Sequence, residues 1–333
     1  MPTFRKAALI YNPIAGTRSS RRRAQVDAAA AVFRTAGVEV QIEPTRAAGS
    51  ASQQAMEAAE AGCDAIIGCG GDGTIHELIQ EVVATRARVS LGVIPLGTGN
   101  GLAADLGIPR RPEAAARILL ASEACRIAVG KIESTLPGGV TQSRYFIITA
   151  GVGADAEMLY QISLGFKQRH GLAAYYAHAV RLIASHRFVP FEVEFRTAGD
   201  PGQPRREVVS QALGVRIATF GGLVRKLAPG ASLRSDAMRL LLFKSPRRMA
   251  FIRHVLGSAL GRSLGNIPDV ELVFADEAVC TAITEGTQLP AGWHDAPVSS
   301  RIYAQADGEL VGGLPVRLSM VRDALTLLMP ASK

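Results

Sequence analysis

The chain has 333 residues, is 48% hydrophobic and carries a net charge of +8. That is enough for two ordinary domains and too apolar and varied for a disordered chain. No apolar run reaches bilayer-crossing length, and the run after Arg5-Lys6 stops at Asn12-Pro13, too soon for a signal peptide, so a cytoplasmic location is expected.

In the first third, strand and helix alternate. Short apolar segments predict strands at Ala7–Tyr11, Val38–Ile42, Ala65–Gly68 and Leu91–Ile94. Helices are predicted at Ser20–Ala36, Ser50–Ala61, Ile75–Thr85, Gly101–Leu106 and Pro112–Ala121. The fold class is therefore α/β, with a parallel sheet covered by helices on both faces. After about Cys125 the strands come in succession: Arg126–Glu133, Tyr145–Ala150, Glu192–Arg196, Glu207–Gln211, Gly214–Phe220, Met238–Phe243, Glu271–Phe274 and Ala278–Thr284. Helical insertions are expected near Asp155–Arg187 and Arg247–Leu264. The division is an α/β domain over 1–125, an antiparallel β-rich domain over 126–320, and a segment over 321–333 that returns to the first domain.

The run Gly70-Gly71-Asp72-Gly73-Thr74 stands between a strand and the helix expected from Ile75. Glycines let backbone N–H groups approach a ligand, and a helix start adds a positive dipole end, a combination suited to phosphate. Asp72 in its middle points to a cation such as Mg²⁺ accompanying the phosphates, or to an acid that orients a neighbouring group. Gly68-x-Gly70-x-x-Gly73 also satisfies the dinucleotide fingerprint, but that motif opens the first βα unit and is followed by an acid roughly 20 residues on. Here an earlier strand exists, and the next one ends Val93-Ile94-Pro95-Leu96 without an acid. A plain tight turn explains the glycines but not Asp-Gly-Thr. The phosphate-loop pattern G-x-x-x-x-G-K followed by Ser or Thr occurs nowhere.

Cys63, Cys69, Cys125 and Cys280 form no C-x-x-C pair and read as buried reduced thiols. His170, His178 and His186 are each rotated by about 80° from the last on a helix, so they do not converge on a metal. The positive charge suits an anionic membrane surface or a plain basic solvated one. Only 5% of residues are aromatic and none alternate with basic clusters, so nucleic acid is not an expected partner.

Pro95-Leu96-Gly97-Thr98-Gly99-Asn100 follows the next strand as the first loop follows its own, and Tyr11-Asn12-Pro13-Ile14-Ala15-Gly16-Thr17 gives a third loop at that edge. Loops at the carboxyl ends of neighbouring parallel strands share one ligand-binding crevice. With these loops, Leu106-Gly107-Ile108-Pro109, Gly151-Val152-Gly153-Ala154-Asp155-Ala156, Gly171-Leu172-Ala173-Ala174-Tyr175, Ala228-Pro229 and Asp307-Gly308-Glu309, the chain resembles the diacylglycerol kinase-type lipid kinases, a family that includes bacterial lipid kinases, sphingosine kinases and ceramide kinases.

The resemblance implies an ATP-binding α/β domain, a β-rich domain and catalysis in the cleft between them. It implies that Thr45, Gly70, Gly71, Asp72, Gly73, Thr74 and Thr98 contact the nucleotide, with Asn12 and Asn100 in the same pocket. Leu233, Asp236 and Met238 match the stretch where bacterial members hold a structural Mg²⁺, the two apolar residues through backbone oxygens; a plain turn acid is the other reading of Asp236. Asp307-Gly308-Glu309 matches the catalytic segment. Phosphoryl transfer to a lipid hydroxyl needs alignment, charge neutralisation and removal of one proton, and Glu309 is the expected general base, with Asp307 orienting it or assisting Mg²⁺. The bland alternative is an Asp-Gly hairpin turn between Ile302–Ala306 and Val316–Met320. The sequence departs from the family at His76, where Asn is frequent, at Ala237, which replaces a common Gly, and at Ala128, where many members have Asp.

Gly171–Arg187, flanked by Lys167 and Arg169, and Pro246–Arg262 are amphipathic stretches that either pack on their own domain or meet anionic headgroups. Arg18, Arg21, Arg22 and Arg23 read as a solvated helix face. Glu285–Ser300, with Trp293, reads as an inserted surface loop, a lid or a lipid contact. The expectation is an ATP- and Mg²⁺-dependent lipid kinase, peripheral at the inner membrane face, acting on diacylglycerol or a sphingoid- or ceramide-like lipid. A soluble NAD kinase-like enzyme and a catalytically inactive nucleotide or lipid sensor are the alternatives. Oligomeric state is left open.

Overall fold

The computed structural model describes the chain except residues 1, 15–20, 85–87, 136–138, 162–187, 201, 221–226, 260–268, 285–288, 291–292, 294–301 and 332–333. The expectations for Gly171–Arg187 with Lys167 and Arg169, for His170, His178 and His186, for Arg18, for Ala15–Thr17 and for most of Glu285–Ser300 fall outside the described residues. The chain divides into two units, one of residues 1–129, 219–222 and 322–333, the other of 130–218 and 223–321.

In the first unit, β1 (Lys6–Tyr11) pairs in parallel with β2 (Glu39–Pro44) and β3 (Ala65–Gly70), and β3 pairs in parallel with β4 (Ser90–Pro95). The order is β2-β1-β3-β4. Strands β1, β3 and β4 are buried along nearly their whole length, as expected of parallel strands covered on both faces. The last strand, β15 (Val316–Met329), lies in parallel beside β4 through Thr326–Ser90 and Leu327–Leu91. The helices are α1 (Arg22–Thr35), α2 (Ser50–Glu60), α3 (Asp72–Ala84), α4 (Gly101–Asp105) and α5 (Pro112–Leu120). In α1 the buried residues Val26, Ala29, Ala30 and Phe33 follow the three-and-four spacing of one helix face. Helix α1 packs with α5, and α2 with α3.

The second unit is antiparallel. Strands β14 (Glu309–Gly313), β13 (Tyr303–Ala306), β7 (Thr149–Gly153), β10 (Gln211–Val215), β11 (Met238–Phe243) and β12 (Val270–Ala282) follow one another in that order. The far end of β12 pairs with β15 over Val316–Ser319, and with β8 (Phe191–Thr197), which forms a hairpin with β9 (Arg205–Val209). A second hairpin joins β5 (Glu123–Thr135) to β6 (Thr141–Phe146). Helices α6 (Ala154–Gln161) and α7 (Arg248–Ala259) are added. The core gathers Phe146, Phe191, Phe195, Leu240, Leu242 and Leu318.

Several expected segments differ in extent. The segment Tyr145–Ala150 is two strands, because the backbone N–H groups of Ile147, Ile148 and Thr149 turn to the Asp307 carboxylate, all at 2.9 Å. The break expected between the strands Glu207–Gln211 and Gly214–Phe220 falls instead at Ser210, whose N–H donates to the Phe243 carbonyl and whose hydroxyl donates to that of Ser245. Helix α3 begins at Asp72 rather than Ile75, so Asp72, Gly73 and Thr74 form its first turn. Strand β15 continues to Met329 instead of ending at Met320. Cys63, Cys69 and Cys280 are buried free thiols. Burial pushes the Cys280 thiol up to about 12, and raises that of Cys69 further still.

Candidate active site

The order β2-β1-β3-β4 reverses direction between β1 and β3, which is where open parallel sheets bind ligands at their carboxyl ends. Asn12 follows β1, Thr45 follows β2, Gly70 to Thr74 end β3 and open α3, and Thr98 and Asn100 follow β4. Every nucleotide-site candidate of the first unit thus stands at one edge of one sheet. Asn12 accepts the Ile14 N–H through Oδ1 at 3.0 Å, and the Thr45 N–H donates to the Tyr11 carbonyl at 2.8 Å.

The two glycine loops are tied to each other by backbone. The Leu96 and Gly97 N–H groups donate to the Gly70 carbonyl at 2.8 and 3.1 Å. A Cβ on Gly97 would lie 2.4 Å from the Gly71 Cα, so glycine is required at that crossing. Asn100, buried and in the left-handed region at φ 60°, closes the second loop with its own side chain. Its Oδ1 accepts the Gly97 N–H at 2.9 Å and its Nδ2 donates to the Gly97 carbonyl at 2.8 Å.

Asp72 is engaged by the backbone that follows the second loop. Its carboxylate accepts the N–H groups of Gly101 at 3.0 Å and Leu102 at 3.3 Å, fixing the start of α4 from the first turn of α3. Thr74 is buried and its N–H donates to the Gly71 carbonyl at 3.0 Å. The space over Gly73 is open, while Thr98 is exposed. The outcome is a helix N-terminus with an uncovered glycine beside a braced loop, the arrangement that suits a phosphate group.

Arg22 corrects the reading of a solvated arginine run. It is 3% exposed and donates through Nη1 to the Leu96 carbonyl, from behind the second loop. Burial lowers its pKa, and nearby Cys69 acts in the opposite sense. Arg21 and Arg23 remain exposed.

In the second unit, Asp307 lies in the turn between β13 and β14, at φ 48°, and Glu309 opens β14. The Asp307 carboxylate receives the three N–H groups described above, and its own N–H donates to the Thr149 carbonyl. Glu309 is exposed, and no hydrogen bond or ion pair among the described residues engages its carboxylate. The turn is braced from below by residues that the sequence reading did not single out. The Gly308 N–H donates to Gln305 Oε1 at 2.9 Å, and Gln305 Nε2 donates to Asp155 at 2.8 Å. Gln211 Nε2 donates to the other Asp155 oxygen. Burial raises the Asp155 pKa, and the two amides oppose that rise. A Cβ on Gly151 would lie 1.8 Å from the Asp155 carboxylate, which accounts for the glycine there.

Leu233 and Met238 are buried and Asp236 is exposed. Between them stands a further residue absent from the sequence reading. Arg216 is fully buried and donates to the carbonyls of Ala237, at 2.6 Å, and Leu233, at 3.4 Å. Burial brings its pKa down to about 10, with Asp236 acting in the opposite sense, so it is charged at neutral pH. Its sequence signal was available: a lone charge in the apolar run Gly214–Phe220. Among the described residues there is no group of three or more His, Cys, Asp or Glu placed to hold a metal ion.

Comparison with known proteins fits this architecture. A family model described as diacylglycerol kinase catalytic domain matches residues 6–132. A diacylglycerol kinase of Bacillus subtilis strain 168 is 30% identical over 331 residues, covering 99% of this chain and 98% of its own. The crystal structure of a diacylglycerol kinase from Bacillus anthracis strain Sterne superposes with a TM-score of 0.69 at 19% identity over 99% of both chains, a likeness of fold. Yeast NADH kinase, solved with NADH, shares the fold more distantly, at TM-score 0.52 and 12% identity over all of this chain and 84% of its own. By class, then, the chain is a kinase on an α/β scaffold with an antiparallel second unit. It belongs to the diacylglycerol kinase family.

Proposed function

We propose that the protein transfers the γ-phosphate of ATP to a hydroxyl of a membrane lipid of the diacylglycerol class. The observation that carries this reading is the division of labour in the Asp307-Gly308-Glu309 turn. One carboxylate is engaged by three backbone N–H groups, and the other is exposed with no hydrogen bond or ion pair among the described residues. Glu309 then takes the proton of the lipid hydroxyl as general base, and Asp307 sets the turn that presents it. The open N-terminal turn of α3 over Gly73 receives the phosphates, Asn12, Thr45, Thr98 and Asn100 border the nucleotide, and Asp72 holds the second loop against the first. Mg²⁺ bound to ATP neutralises charge on its phosphates.

The exposed residues Arg247, Arg248, Met249 and Arg253 around α7 supply a basic face suited to anionic headgroups, each charge near such a surface contributing about 1 kcal/mol. Phe251 and His254 of that helix face inward, so it is anchored to its own unit while presenting the arginines. No helix among the described residues is long and apolar enough to cross a membrane.

The likeness to yeast NADH kinase supports a second reading, phosphorylation of NAD. Radiolabelled ATP incubated with the protein and either NAD or mixed micelles of diacylglycerol, ceramide and sphingosine separates the two. Label in the diacylglycerol fraction is the expected result. Label in NAD, or none in any lipid, would overturn the proposal.

A further inference from the structure

The family resemblance implies a structural divalent ion held by the backbone oxygens of Leu233 and Met238 and by Asp236. The residues of this chain do not fit that ion. The Leu233 carbonyl already accepts from Arg216 Nη2, and the neighbouring Ala237 carbonyl from Arg216 Nη1. The arginine is 0% exposed, so its charge is delivered to these oxygens without water to screen it. Asp236, the one carboxylate of the expected set, is exposed and lies near enough to stabilise the guanidinium. A divalent cation at the same oxygens would sit beside a fixed positive charge and compete with its N–H donors.

We propose that the Arg216 guanidinium is the built-in cation of the 227–237 loop, and that the second unit folds and stays folded without a bound structural metal. The geometry gives the physical reason. Two carbonyl dipoles converge on the fork of one planar donor, which satisfies both oxygens at once. The loop has little regular structure. At its start His254 Nε2 meets the Leu227 carbonyl and Arg239 Nε donates to the Pro229 carbonyl. Over 232–237 the ties besides those from Arg216 include local ones, such as Arg234 N–H to Ser232 Oγ and Ala237 N–H to Ser235 Oγ. Arg216 reaches it from the end of β10, with its own N–H on the Ile148 carbonyl at 2.9 Å, so the charge is anchored on the sheet and the loop closes over it.

The test needs neither ATP nor lipid, so it stands or falls apart from the proposed reaction. The full chain is gel-filtered in chelator-treated buffer, its divalent metal content is measured by mass spectrometry, and its melting is followed in EDTA and in excess Mg²⁺. The expected result is far less than one metal per chain and melting temperatures that agree within about 1 °C. A resident site filled a hundredfold above its Kd would instead separate them by roughly 4 °C. One retained divalent ion per chain, or a fall of that size in EDTA, would overturn the proposal. Arg216→Met strips the two carbonyls of their donor, and is expected to melt lower than the parent in EDTA and to be partly restored by Mg²⁺ or Ca²⁺. A variant that melts with the parent in EDTA would also overturn it. Should Arg216→Met not fold, the metal content of the parent decides.

Discussion

Gly71 and Gly97 touch backbone to backbone, and no side chain can yield to relieve a crowd there. Gly97→Ala is therefore expected to cost about 2 kcal/mol or more, read as a lower denaturant midpoint together with weaker nucleotide binding. The acids of the second unit should separate just as cleanly. Asp307→Ala leaves three backbone N–H groups without their acceptor and should cost roughly 2 kcal/mol of stability. Glu309→Gln, at an exposed and unengaged position, should change stability by no more than about 0.5 kcal/mol yet abolish phosphate transfer. Equal melting of Asp307→Ala and the parent, or an active Glu309→Gln enzyme, would count against these roles. The glycines are legible from sequence because few residue types meet those geometric demands, whereas Glu309 is singled out only through the family resemblance. Arg22 is not, since one arginine in a run of four looks solvated until the carbonyl it meets, more than seventy residues away in sequence, is known. Asp155 is visible in its motif, but its two amide partners come from other strands and carry no local signature.

Among the elements, α7 offers a pH-dependent contact. His254 is buried at right angles to the Phe243 ring, with centroids 5.5 Å apart, and its Nε2 lies 2.8 Å from the Leu227 carbonyl, so that nitrogen carries the hydrogen. Burial lowers its pKa below the ordinary 6.5, and the carbonyl opposes that shift. The unfolded chain then holds the extra proton more tightly than the folded one. Its contribution to stability is complete above the unfolded value and is lost as pH falls from about 6.5 toward the folded value. His254→Gln should flatten this part of the melting temperature profile between about pH 7.5 and 5.5; profiles of identical slope would rule the contact out as its source. Existence and type of the first-unit elements are legible because their apolar periods are strong and strand alternates with helix. The breaks at Ile147–Ile148 and Ser210 are not, because the acceptors that turn the backbone aside, the Asp307 carboxylate and the Phe243 carbonyl, lie far along the chain.

At the scale of the whole molecule, the boundary between the units falls within β15, after Val321, and the residues beyond it belong to the first unit. Leu325, Leu327 and Leu328 are fully buried there. Each contributes about 1.5–3 kcal/mol, so together they rival the whole stability of an ordinary domain. A chain stopped at Val321 should lose protection of the β4 amides in hydrogen exchange and should not bind nucleotide. Native-like protection of Ser90–Pro95 in that truncation would refute the assignment. The second parallel partner of β4 is thus made more than two hundred residues after β4 itself. On the ribosome the glycine loops emerge early, but the sheet that holds them stays one edge short until synthesis has passed Met329. A half-made chain accordingly exposes the flank of β4 until β15 arrives, and that interval is when a chaperone has most to protect.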